Sequence, residues 1–211
     1  MLLVEVFNKA AKFTMEEAAG IITATFGVGG YIYEVSLVEQ WPKSKQGLEF
    51  FAKQLGDRPE QNDRQTGMEY TRRKNELQEK YPCYLLSFEI VKGLTDDQLE
   101  QQHIRAGGKD WEYHDDLEDG DPQFELSDTG NQFVVFSTIF QIMKKTIDIK
   151  AASGGMVLEI GFSGKGESRN SLYGKMINKF AGRIGFTSNT AGLSRYVTHY
   201  QKFLIINKEI A

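Results

Sequence analysis

Between Met156 and Phe162 the chain reads Met-Val-Leu-Glu-Ile-Gly-Phe, and Glu159 alone carries a charge in that run. Gly154-Gly155 precede it and Gly164 follows. A short apolar run between glycines suits a strand buried on both faces. A strand of that kind cannot stand alone, so the chain is constrained to build a sheet with covering layers around it. Directly after it, Leu172, Tyr173, Met176, Ile177 and Phe180 fall on one helical stripe, with Arg169, Lys175, Lys179 and Arg183 on much of the remaining surface. Ser168 is placed to cap the start of that helix and Gly182 its end.

A strand, loop and helix in succession aim the free N–H groups of the helix start beyond the strand end. With the helix dipole this makes an anion site. Gly164, Lys165 and Gly166 form the loop, Lys165 and Arg169 add charge, and Ser163, Ser168 and Ser171 add hydroxyl donors. The loop is not a nucleoside-triphosphate P-loop, because no Gly-Lys-Ser/Thr follows at the required spacing. The same residues would also serve as a plain turn and a capped, solvated helix.

Elsewhere the elements alternate. Residues 2–7 read as a strand. Thr14 and Glu17 form a capping box, and Ala18, Ile21, Ile22 and Phe26 continue a helical stripe, which predicts a helix over 15–26. Gly27-Val28-Gly29-Gly30 closes it and suits a turn with positive φ. Tyr31–Val38 alternates as a strand, with Tyr31, Tyr33, Val35 and Leu37 on one face. A short helix is expected over 45–55, and a polar excursion over 56–82 that includes a charged helix from Tyr70 to Tyr81. Cys83–Val91 is a strand of central character, and Thr95 and Gln98 box the start of another short helix. The acidic loop over 107–123 fails the EF-hand pattern, because Leu117 and Leu126 occupy ligand positions. Asp128-Thr129-Gly130-Asn131 reads as a hairpin turn between 124–126 and a strand over 132–139, followed by a helix over 140–147. Tyr196–Ile206 reads as a terminal strand. The expected fold is α+β: a single domain with a mixed, mostly antiparallel sheet covered by helices.

Composition excludes several classes. In 211 residues no apolar run approaches the roughly 18 needed to span a bilayer, so no membrane partner is expected. Cys83 is the sole cysteine, which rules out an intramolecular disulfide and suits a reducing, cytoplasmic setting. With three histidines and one cysteine, no metal site is expected. The net charge of −4 is uneven: residues 142–211 sum to +7, which leaves −11 for the remainder. Such polarity suits either an anionic partner or attraction between the two parts.

The run from the strand through Ser168-Arg169-Asn170-Ser171-Leu172-Tyr173-Gly174-Lys175 to Ile184-Gly185-Phe186 resembles the last motif of the GNAT N-acetyltransferases. In that family an apolar strand leads to a helix with an Asn and an A-x-x-L-Y-x-K run, then G-F and a closing strand. The likeness covers roughly residues 132–206. Phe162-Ser163 with Ser168-Arg169 and Leu172-Tyr173 is also similar to an F-S-x-x-x-x-S-R-x-x-L-Y signature of small phage-encoded proteins.

The GNAT resemblance implies a GNAT-like fold, acetyl-CoA as donor and an amine as acceptor. It implies that Tyr173 protonates the departing thiolate and that Asn170 lies near the cofactor, beside Gly164, Lys165, Gly166, Ser168 and Arg169. Tyr173 lies on an apolar stripe, where core packing is the competing role. The base is open between Glu89 and Glu159, each of which interrupts an apolar strand. One departure stands out. The family's glycine-bearing pyrophosphate loop is expected between a strand near Val134 and a helix near Ile142, and Phe136-Ser-Thr-Ile-Phe140 contains no glycine. The phage likeness implies instead a non-enzymatic accessory or virion protein that binds a protein or nucleic-acid partner through the basic helix of 165–183. A hydrolase is disfavoured, because Lys165 stands where G-x-S-x-G around Ser163 requires glycine.

Overall fold

The computed structural model describes residues 10–56, 64–92, 131–162, 177, 180–188 and 203–211. Their strands are β1 (Phe13–Ala18), β2 (Ile21–Val28), β3 (Tyr31–Gln40), β4 (Cys83–Lys92), β5 (Glu159–Phe162), β6 (Phe186–Ser188) and β7 (Phe203–Asn207). Their helices are α1 (Lys45–Leu55), α2 (Arg64–Lys80) and α3 (Asn131–Ala152), with a 3-10 turn at Ala181–Ile184. The seven strands form one sheet in the order β1-β2-β3-β4-β5-β7-β6. The expected α+β class with a mixed, mostly antiparallel sheet is therefore present, and β4 holds the central place that its apolar sequence suggested. The described chain gathers into two compact units, one within Met1–Ser36 and Ser87–Met143, the other within Leu37–Leu86 and Lys144–Ala211.

In the first unit, β1 and β2 form an antiparallel hairpin with Phe13 opposite Phe26 and Ala18 opposite Ile21. This replaces the helix expected over 15–26. The helical spacing of Ala18, Ile22 and Phe26 is genuine, but Ile22, Ala24, Phe26 and Val28 also alternate, and those four are the buried ones. Period two, joined to β-branched Thr23 and Thr25, outweighs the capping box. Ala19 and Gly20 make the turn, both at positive φ (50° and 77°), the hairpin-favoured pattern. Gly29 and Gly30 (61° and 88°) repeat it between β2 and β3. Gly29 has a second reason to be glycine: a Cβ there would lie 2.3 Å from Asn131 Nδ2, at the start of α3. Tyr33, Val35 and Leu37 are buried on one face of β3, as their alternation predicts, and Tyr33 stacks on Phe26 at 5.2 Å.

α3 overturns the expected hairpin and strand over 132–139. Val134, Val135, Thr138 and Ile139 have high strand propensity. However, Val135, Ile139, Ile142, Met143 and Thr146 are buried at helical spacing, and the helix runs unbroken for 22 residues. Tertiary burial decides against propensity here. Thr138 is buried because its Oγ1 donates to Val134 O (2.7 Å) and accepts from Ala11 N (2.8 Å).

In the second unit, α1 matches the expected helix. Ser44 is its N-cap and accepts from Gly47 N at 2.8 Å; Gly56, at φ 72°, closes it with an N–H donated to Ala52 O. α2 begins at Arg64, earlier than the expected Tyr70, because a polar, largely exposed helix has no apolar stripe to mark its start. β4 and β5 run parallel, with Cys83 opposite Glu159 and Leu86 opposite Phe162, and the connection between them contains α3. β7 then pairs antiparallel with both β5 and β6. Ile177 and Phe180, on the stripe expected after β5, are helical and buried. Gly182 is not the cap that its position suggested. It lies inside the 3-10 turn, and Gly185, at φ 81°, is the left-handed residue that closes it. None of the described helices is long and apolar enough to cross a membrane.

Candidate functional site

β5 places Glu159 at its first residue and Phe162 at its last. Glu159 is fully buried, and the entry to α1 closes over it. Lys43 N donates to Oε2 at 2.8 Å. Ser44 N donates to both carboxylate oxygens at 3.2 and 3.3 Å, and the Ser44 hydroxyl donates to Oε1. The carboxylate thus occupies the anion-binding start of α1, where free N–H groups and the helix dipole converge. Gly47 leaves the room it needs: a Cβ there would sit 1.9 Å from Oε1 and 2.9 Å from Pro42 Cβ.

Burial pushes the Glu159 carboxyl above its usual range, and the hydrogen bonds from Ser44 and Lys43 oppose that rise without cancelling it. Its cross-strand neighbour Cys83 is buried too. Burial, and next the nearby Glu159 charge, push that thiol well above its usual value. A thiol in this condition is inert as a nucleophile while covered. Tyr33, in the other unit, is buried with its hydroxyl unpartnered among the described residues, and burial raises its pKa.

The base candidates of the sequence therefore part company. Glu89 lies on β4 and is solvent-exposed. Glu159 has both oxygens committed to the entry of α1 and sits at the opposite end of β5 from Phe162. Tyr173, Gly164, Lys165, Gly166, Ser168, Arg169 and Asn170 lie outside the described residues, as do the 95–105 helix and the acidic loop of 107–123. The described flanks of that segment are in place: β5 ends at Phe162 beside Leu86 of parallel β4. Among the described residues no cluster of three or more His, Cys, Asp or Glu could hold a metal ion.

The partners of Glu159 were the residues least legible in the sequence. Ser44 carries a cap signal before a helical stripe, and Glu159 is a lone acid in an apolar strand. Each is readable alone. Their union, across 115 positions, is not.

No family model, curated protein or solved structure matches the chain.

Proposed function

We propose that the chain is a GNAT-like N-acyltransferase that takes acetyl-CoA as donor and an amine as acceptor. The observation that carries this reading is the parallel pairing of β4 and β5 across a connection containing α3. Ligands of sheets with parallel strands bind beyond the strand carboxyl ends. Here Phe162 is such an end, and it opens straight into the segment with Gly164, Lys165, Gly166, Ser168, Arg169 and Asn170, the residues that would hold the cofactor. Tyr173 is the general acid of this reading. Acetyl-CoA, when bound, would supply the activated acyl group.

The position of α3 removes an objection. Residues 136–140 are helix interior, so they are not the place of a pyrophosphate loop, and their lack of glycine does not count against one.

A thermal-shift titration with acetyl-CoA and CoA tests the reading, because a ligand that binds only the folded state raises Tm by mass action. The expected result is a saturable rise that is lost in Arg169→Ala. Absence of any rise at millimolar acetyl-CoA overturns the proposal. A salt-sensitive rise with short DNA or RNA in its place would assign the basic 165–183 segment to a nucleic-acid partner.

A further inference from the structure

We propose that α1 is a cover over Cys83 and that Glu159 is the latch that keeps it closed. Phe51 and Leu55 of α1 pack with Cys83 and Leu158 in one buried cluster, rimmed by Trp41, Phe50 and Tyr81. This apolar contact is non-directional and would tolerate a shifted helix. Tyr70 and Leu77 of α2 pack against the same cluster, and what fixes the entry of α1 is polar. Lys43 N, Ser44 N and the Ser44 hydroxyl all converge on the one carboxylate of Glu159, and Gly47 provides the space. At the far end of α1, Gly56 N donates to Ala52 O and the exposed Arg73 Nη2 of α2 donates to Gln54 O at 3.5 Å, a long and weak contact.

A latch of this chemistry has a built-in release. Opening α1 exposes Phe51 and Leu55, which is unfavourable, but it also returns a fully buried carboxylate to water, which is favourable. The two terms oppose each other, so lifting α1 alone costs less than unfolding the unit. The rise in the Glu159 pKa on burial has the same cause. Cys83 is the only cysteine in the chain and is fully buried, so its thiol reports this opening without any added label site.

The test is the rate at which the intact protein reacts with an aromatic disulfide reagent at fixed pH, normalised to the rate in strong denaturant. Local opening predicts labelling that depends only weakly on low urea. Glu159→Gln should accelerate it at least tenfold, and Ser44→Ala, which keeps both backbone donors, by a smaller factor. Ile22→Ala, in the first unit, lowers stability without touching the latch and should leave the low-urea rate within about twofold. An unchanged rate in both Glu159→Gln and Ser44→Ala would overturn the proposal. So would acceleration in Ile22→Ala equal to that in Glu159→Gln, since Cys83 would then be reached by general unfolding. If Glu159→Gln does not fold, Ser44→Ala against Ile22→Ala decides the matter by the same criterion.

Discussion

α1 and α3 are both helices with a buried face, yet they are held in different ways. α1 is short, with a clear cap at each end, and its entry is fastened by one carboxylate from a strand 115 residues away. α3 is twice as long and rich in β-branched residues, and it is held mainly through the buried apolar side chains of Val135, Ile139, Ile142 and Met143. The difference teaches where specificity resides. Apolar burial is additive and forgiving of small shifts. A buried charged group is neither, because every donor aimed at it is left stranded when it goes.

The largest expected effect therefore belongs to the latch. Glu159→Ala leaves the N–H groups of Lys43 and Ser44 without their acceptor beneath α1 and opens a cavity, and should cost about 4 kcal/mol, read from urea unfolding followed by Trp41 fluorescence. A loss below about 1 kcal/mol would erase the distinction between the two helices. Ile142→Ala, at the middle of α3, removes a fully buried side chain and should cost about 3 kcal/mol. Here the loss should scale with the volume removed, so Ile142→Val should cost about 1 kcal/mol. Ser44→Ala deletes both the cap to Gly47 and a donor to Glu159, and should cost about 1–2 kcal/mol.

The pH dependence separates the helices further. The Glu159 carboxyl is raised in the folded state, so that state binds the proton more tightly than the unfolded chain. The resulting stabilisation is complete below the unfolded carboxyl value and is lost as pH rises through the folded one. The hydrogen bonds from Ser44 and Lys43, and the Lys43 charge, oppose the rise of the carboxyl pKa without cancelling it. The stability of wild type relative to Glu159→Gln should therefore decline as pH rises from about 4.5, while that relative to Ile142→Val stays flat. A difference curve that rises with pH would mean that the hydrogen bonds at α1 outweigh burial. The smallest effect is at the β1–β2 turn: Ala19→Gly relieves a positive φ and should add about 0.5–1 kcal/mol, measured as a rise in Tm.

Much of the architecture could be read from local pattern. β3 and β4 announce themselves by alternation and by β-branched and aromatic content, and α1 by its stripe of Leu48, Phe51 and Leu55. Two elements misled. Residues 13–28 carry period two and period 3.6 at once, and the positive φ of Ala19, a residue type that seldom marks a turn, concealed the hairpin. Residues 131–139 look like a strand by propensity; the five consecutive residues 135–139 are all buried as helix, a context that local pattern does not reveal.

The sequence by itself determined the α+β class, the central β4, the glycine turn before β3 and the apolar strand that contains Glu159. Those depend on side-chain periodicity and backbone freedom, which are local properties. Only the tertiary structure decided what Glu159 does. A carboxylate in an apolar run is compatible with a base, an exposed edge or a clamp, and the choice depends on which donors the fold delivers to it. The fold delivers the start of α1, and a buried charge takes the partners that are within hydrogen-bond reach.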